Sequence, residues 1–410
     1  MNLFIRENYL ERIRGFYDTD DLIKVITGVR RCGKSTLMQV IVEEVRQKGA
    51  PEENIIYLDL DMRKHRNIKT PDALERVIEE RGHAQGLKYL FIDEVQNVRG
   101  FEEVLNGFRT DGGWSIFITG SNSYLLSGEI TTKLTGRFLS FEMFPLSFAE
   151  YEEMKRFYGK PIDTNTSVEL TDYILEGGFP RTVLLDSLAD KRRYVQEVVR
   201  EIYEKDIRRR VKIRDKETFE TVRRFVTGNF GSLFSLNNIC EELNKQGTRI
   251  TKATVSRYIR ALLDAKIICE CPRFDIKSKK ALSGEKKYYL SDLSFYFADN
   301  TDNRINYGPV LENIVFLYAK SLEYSVSVGR FGKFECDFIL RDTDLNYSYV
   351  QVAYTIANSR DTEEREYRPL EMIKDNYPKY ILTTDYLLQR RNGIRHVNLM
   401  DFILSGNYFK

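Results

Sequence analysis

One octapeptide constrains this chain more than any other feature. Gly28-Val29-Arg30-Arg31-Cys32-Gly33-Lys34-Ser35 fits G-x-x-x-x-G-K-[ST] at every fixed position. Its flanks make the match specific: the apolar run Leu22 to Ile26 predicts a strand before it, and Leu37, Val40 and Ile41 mark one face of a helix from Lys34 to about Lys48 after it. A glycine-rich loop between strand and helix turns its backbone amides, and the positive end of the helix, towards an anion. The expected binding set is Gly28, Val29, Arg30, Arg31, Cys32, Gly33, Lys34, Ser35 and Thr36. Lys34 would reach the β- and γ-phosphates of a nucleoside triphosphate, and Ser35 would place its hydroxyl on Mg²⁺.

The surrounding region, 22 to about 145, alternates apolar strands with amphipathic helices. IIYLDLD, a helix near Ala73 to Glu80, YLFIDEV and SIFITGS follow in turn, which predicts an α/β fold with a parallel sheet covered by helices. Tyr89-Leu90-Phe91-Ile92 runs directly into Asp93-Glu94. Two carboxylates are costly inside a core and well placed at the sheet's carboxyl edge beside a cation. Asp93 is expected to hold Mg²⁺ through water and Glu94 to polarise the attacking water, so ATP should be hydrolysed as well as bound. The next strand, Ile116 to Thr119, ends in Gly120-Ser121-Asn122-Ser123, where a polar amide has the reach to orient that water.

Composition removes other chemistries. At 410 residues with 42% hydrophobic, 30% charged and only 9 Pro, the chain reads as two to three folded domains. No run of 18 apolar residues occurs and the amino-terminal stretch is charged throughout, so the expectation is a cytoplasmic protein without membrane spans. The 5 cysteines are scattered and read as reduced thiols. With 3 histidines in the chain, a histidine-built metal centre or a Ser-His-Asp relay has almost nothing to be made from. Any catalytic metal must rest on carboxylates or phosphates.

Charge is unevenly spread. Residues 205 to 290 hold 21 Lys and Arg against 10 Asp and Glu, a segment polarised towards a polyanion. Within it, LNNICEEL and TKATVSRYIRALL have helical spacing, Thr251 is a good N-cap, and two strand-like runs flank a basic turn. This order spells a winged helix. Its second helix projects Lys252, Thr254, Ser256, Arg257 and Arg260, and its wing carries Lys277, Lys279 and Lys280. These residue types contact grooves and phosphates, so the expected partner is DNA, with little sequence preference. A protein-docking or purely structural role for such a module is the alternative.

The loop, the FIDE run and the ITGSN run, in this order, resemble an AAA+ ATPase core. That resemblance implies a sensor residue at Asn122 or Ser121, Asn122 being favoured, and a neighbour-reaching arginine at Arg137 in LTGR. It also implies a homo-oligomer, a hexamer among the candidates, and a weaker second-sensor position at Arg181. GRFLSFEMFPLSFAEY with Gly177-Gly178-Phe179-Pro180 is similar to a prokaryotic AAA-type group carrying a nuclease-like carboxyl-terminal domain. The expected division is an ATPase core over 1–150, a helical lid over 151–215, a winged helix over 216–300 and the nuclease-like domain over 301–410.

The last segment resembles the restriction-endonuclease-like fold, in which an acid on the first helix, an Asp on one strand and an acid-x-Lys on the next converge on Mg²⁺. Glu312 and Asp337 match; Gln351 brings a carbonyl without charge, and Ala353 stands where the Lys belongs. Lys333 and Lys374 are the candidate substitutes. Without that Lys the means of stabilising the pentavalent phosphate is missing, so the site is expected to be degenerate. The leading expectation is an oligomeric ATPase that translocates on or remodels duplex or branched DNA. A signalling-type regulatory switch, with phage defence as one role, and an ATP-gated nuclease are the alternatives.

Overall fold

The computed structural model describes residues 3–120, 134, 136–208, 211–213, 215–278, 280–299 and 305–410. Ser121, Asn122 and Lys279 therefore lie outside the described residues. The chain forms two compact units that divide between Met143 and Phe144.

The first unit runs α1 (Glu7–Arg14), β1 (Ile23–Gly28), α2 (Lys34–Gln47), β2 (Ile55–Asp59), α3 (Pro71–Arg81), β3 (Lys88–Asp93), α4 (Phe101–Asp111), β4 (Trp114–Thr119) and β5 (Phe138–Met143). Its strands make one parallel sheet in the order β2-β3-β4-β1-β5. The apolar strands need cover on both faces, as parallel sheets do. Leu90 and Ile92 pack with Ile116, Ile118 and Leu74 on one side. Phe91 points to the other side and stacks on Phe117 at 4.8 Å. Thr70 caps α3, accepting from the Ala73 amide at 3.3 Å with Pro71 in the first turn. The register pairs Ile26 with Thr119 and Ile92 with Ile118. The carboxyl ends of β1, β3 and β4 thus finish side by side, at the edge where open α/β sheets bind ligands.

The second unit opens with helices α5 (Phe148–Phe157), α6 (Thr166–Glu176), α7 (Pro180–Val183) and α8 (Leu188–Ile202), the last continuing into a π-helical turn over Tyr203–Ile207. Ser147 and Glu150 form a reciprocal capping box at the start of α5. The glycine pair after α6 has a steric cause: a Cβ on Gly178 would sit 2.3 Å from the Leu146 carbonyl oxygen, and one on Gly177 2.1 Å from Asp292 Oδ1. The buried Asp292 carboxylate accepts the Gly178 amide at 2.7 Å and fixes the turn.

Next come α9 (Lys216–Gly228), β6 (Leu233–Phe234), α10 (Leu236–Lys245), α11 (Lys252–Asp264), β7 (Ile268–Asp275), β8 (Lys280–Leu290) and α12 (Ser294–Asp299). The remainder is α13 (Tyr307–Ser321), β9 (Ser325–Phe331), β10 (Phe334–Arg341), β11 (Tyr347–Val352), α14 (Arg360–Met372), β12 (Lys379–Thr383), β13 (Arg390–Arg391), β14 (Ile394–Asn398) and α15 (Leu399–Leu404). One 9-stranded sheet, ordered β13-β14-β12-β11-β10-β9-β7-β8-β6, spans these elements. The expected segments 151–215, 216–300 and 301–410 all lie within this unit, whose sheet, among the described residues, takes strands from both of the last two. The join is the parallel pairing of β7 with β9, Arg273 to Val328 through Asp275 to Arg330. Strand β9 has no place in the sequence reading. Its run SVSVGRF carries glycine and polar residues, which weaken a strand signal that only pairing on both sides makes good.

Candidate ATPase site

The Gly28 to Ser35 loop takes the conformation its residues permit. Gly28 has φ +146°, and a Cβ there would lie 2.3 Å from the Met143 carbonyl oxygen, so only glycine fits against β5. Gly33, with φ +107°, caps α2. Helix geometry leaves the first amides of α2 without intrahelical acceptors, free for phosphate. Lys34 is buried, and its ammonium folds back on the loop, donating to the carbonyls of Gly28 at 3.0 Å and Val29 at 3.2 Å. A phosphate would replace those carbonyls. Cys32 is buried and contributes backbone and packing; Ser35 is exposed at the helix start.

Asp93 ends β3 with its side chain 2% exposed. Its Oδ1 accepts from the Thr119 hydroxyl and its Oδ2 from Tyr57 at 3.4 Å. Glu94 follows in the left-handed region, φ 55°, a costly setting for a non-glycine residue that re-aims its side chain off the strand. Thr119 steadies it by accepting the Glu94 amide at 3.2 Å. Burial pushes the Glu94 carboxyl above its usual range, against the opposing pull of Lys34 and Arg30. Those electrostatic neighbours belong to the phosphate loop, so the two motifs face each other electrostatically at the carboxyl edge of the sheet. The Gln96 amide is hydrogen-bonded to Glu94 Oε2, while Gln96 Oε1 and the Thr27 hydroxyl are buried polar atoms without a partner among the described residues.

Residues 20–152 match the AAA domain family, and residues 167–301 match a domain of unknown function, DUF8612. An uncharacterized protein of Haemophilus influenzae is 34% identical over 98% of this chain and 98% of its own length. An uncharacterized protein of Methanocaldococcus jannaschii is 30% identical over 86% of this chain and 79% of its own. The chain belongs to the family of these two proteins, and within it residues 20–152 are an AAA domain. A Walker-type ATPase of Pyrococcus abyssi, 15% identical, shares the fold at TM-score 0.50 over 72% of this chain and 95% of that one. The AAA domain, with both phosphate motifs converging, supports ATP hydrolysis.

Of the expected auxiliary residues in the AAA domain, Arg137 is exposed just before β5 and donates to Asn106 Oδ1 on α4 at 3.1 Å. Arg181 is exposed on α7. Thr119 and Gln96 escaped the sequence reading, although Thr119 stands inside a motif it quoted and Gln96 directly follows one. The available signal was a hydroxyl closing an otherwise apolar strand.

In the second unit, Lys252, Ser256, Arg257 and Arg260 are exposed on α11 and Thr254 is half-buried, while Val255, Tyr258, Ile259 and Leu262 are buried. Thr251 caps the helix through the Thr254 amide at 3.3 Å. Lys277 and Lys280 are exposed at the turn between β7 and β8. Part of the basic surplus does not face solvent, however. Arg223 and Lys287 are buried, and Lys286 pairs with Glu270 at 2.7 Å. No helix among the described residues is long and apolar enough to cross a membrane.

The carboxyl-terminal trio does converge. Asp337 lies at a β-bulge of β10, its amide donating to Gln351 Oε1 at 3.3 Å and its Oδ2 accepting the Val352 amide at 2.8 Å. Lys333 and Lys374 are exposed and do not replace the missing lysine. The cation comes instead from β8: Lys287 Nζ lies 3.0 Å from Glu312 Oε2, 3.1 Å from Glu335 Oε1 and 4.0 Å from Asp337 Oδ1. Tyr289, two residues on and so on the same face of the strand, donates to Glu312 Oε2 at 2.7 Å. Burial alone would lower the Lys287 pKa, but Glu312, Asp337 and Glu335 outweigh it and raise it. Burial and the nearby Glu312 push Asp337 well above the usual carboxylate range.

Proposed function

We propose that this protein is a Mg²⁺-dependent ATPase that couples hydrolysis to movement along, or remodelling of, duplex or branched DNA, as a homo-oligomer. The observation that carries the DNA half is α11. Its apolar face is buried, and its opposite face offers Lys252, Ser256, Arg257 and Arg260 to solvent. The order α9, β6, α10, α11, β7, β8 is that of a winged helix, whose second helix enters a groove while the wing's Lys277 and Lys280 meet phosphates.

In the nucleotide pocket, the donor set suits a hard divalent cation: the Ser35 hydroxyl and the Asp93 carboxylate would hold Mg²⁺, which neutralises phosphate charge. Lys34 leaves its loop carbonyls for the phosphates. Glu94, held by Thr119, takes a proton from water, and Asn122 orients that water. Arg137 contributes to a neighbouring subunit's site, and loss of its bond to Asn106 is the local cost of doing so. The restriction-endonuclease-like reading of the last segment rests on the convergence of Glu312, Asp337 and Gln351.

The test is duplex binding as a function of salt for wild type and Lys252→Ala/Arg257→Ala/Arg260→Ala. Each lost phosphate contact lowers the magnitude of the log K against log salt slope by about 0.9, so a drop of roughly 2–3 is expected, alike on unrelated sequences. An unchanged slope in the folded triple variant would move this module to protein docking.

A further inference from the structure

We propose that the Lys287 ammonium stands permanently where a divalent cation would sit in the Glu312–Asp337–Gln351 site, making that site a metal-independent clasp between β8 and the carboxyl-terminal half of the sheet. The nuclease resemblance predicts a metal here, and the residues present do not fit one. A Mg²⁺ or Ca²⁺ ion asks for six or more oxygen ligands at about 2.0–2.6 Å. Each candidate ligand already has an oxygen engaged. Lys287 reaches Glu312, Glu335 and Asp337 at 3.0, 3.1 and 4.0 Å, standing at the focus of the three carboxylates and not beside one of them. Glu312 Oε2 also takes the Tyr289 hydroxyl, Asp337 Oδ2 takes the Val352 amide, and Gln351 Oε1 takes the Asp337 amide. Among the described residues, no group of three or more His, Cys, Asp or Glu side chains is arranged to hold a metal ion. A divalent ion brought to these carboxylates would also lie within a few ångströms of a buried ammonium, a strong repulsion at low dielectric.

The source of the ammonium gives the site its role. Lys287 and Tyr289 belong to β8, while Glu312 lies on α13 and Glu335 and Asp337 on β10. The charge group therefore crosses from the basic segment to the last segment, over the sheet joined by β7 and β9. Asn313 of α13 already exchanges two hydrogen bonds with the Leu290 backbone of β8, at 2.7 and 2.9 Å, and Tyr289 stacks on Phe316; to these the strand adds a cation that it carries itself. This inference stands on the ion-pair geometry and does not depend on DNA binding.

The experiment uses the full chain without nucleotide, so that the phosphate loop gathers little metal. Bound Mn²⁺ is counted by electron paramagnetic resonance and melting is followed in EDTA and in Mn²⁺. Wild type and Asp337→Asn should bind the same number of Mn²⁺ ions, and EDTA should leave wild-type melting unchanged. Lys287→Met, which strands buried carboxylates, should melt lower in EDTA by on the order of 10 °C. It should then regain part of that loss in Mn²⁺ and bind one more ion than wild type. A Mn²⁺ ion bound by wild type and lost in Asp337→Asn would overturn the proposal, because the site would then be open with Lys287 alongside the metal. A folded Lys287→Met that melts like wild type, or that gains nothing from Mn²⁺, would also overturn it. If Lys287→Met does not fold, the comparison of wild type with Asp337→Asn decides alone.

Discussion

Thr119→Val removes one hydroxyl and leaves the shape of the residue almost unchanged, which isolates what that oxygen does between Asp93 and Glu94. Thr119 is fully buried; it donates to the Asp93 carboxylate and accepts the Glu94 amide at 3.2 Å. A hydrogen bond to a charged group contributes about 1.5–3 kcal/mol, and a buried amide left without an acceptor costs about 1–3 kcal/mol. Asp93 keeps its longer bond from Tyr57, so the lower ends apply and the expected loss is about 2.5 kcal/mol. Thr119→Ser keeps the hydroxyl and gives up one methyl, at about 1 kcal/mol. The chain's single tryptophan, Trp114, is on the same strand, so its fluorescence in urea reports this unit by itself. Turnover should follow the same contrast. With its amide unanchored, Glu94 no longer has reason to keep its left-handed backbone, and kcat should fall by about tenfold or more in Thr119→Val, the equivalent of only about 1.4 kcal/mol in the barrier. Equal urea midpoints and equal kcat in the Val and Ser variants would refute the reasoning, because the hydroxyl lost in the first should cost more than the methyl lost in the second.

Lys34→Ala should abolish nucleotide binding while Glu94→Gln binds ATP and stops turning over, since only the former removes a ground-state phosphate contact; near-normal ATPase activity in Glu94→Gln would remove Glu94 from its role. Burial pushes Asp292 from 3.8 up to about 6, so the folded state holds its proton more tightly than the unfolded chain does. Its contribution to stability is therefore complete below the unfolded value and is lost as pH rises through about 6, a change of about 3 kcal/mol. Chemical unfolding at several pH values should show that slope in wild type and not in Asp292→Asn. Gly178→Ala forces a Cβ to 2.3 Å from a backbone carbonyl and should cost more than about 3 kcal/mol by calorimetry. Gly159→Ala, with a positive φ but open space around it, should cost about 1 kcal/mol.

The phosphate loop, the Asp93-Glu94 pair and the alternation of strands and helices in the first unit were legible in the amino-acid sequence, because each is a local pattern. The loop's glycines, its Lys and its Ser act through the backbone of one strand, one turn and one helix, and 3.6- and 2-residue periods mark those elements without reference to anything distant. The polar face of α11 was legible for the same reason, as was its Thr251 cap. Register and sheet order are different, because they depend on which strands meet, and local spacing carries no information about that. Thr119 comes to Asp93 only because β3 and β4 pair in parallel with Ile92 beside Ile118. The cation that Glu312, Glu335 and Asp337 surround comes from Lys287, 66 positions before Ala353, since β7 joins β9 and α13 brings Glu312 across β8. Composition placed Lys287 with the solvent-facing cations of the basic segment; only the tertiary structure turned it inward, where buried carboxylates require a cation and the nearest one in space is not the nearest one in sequence.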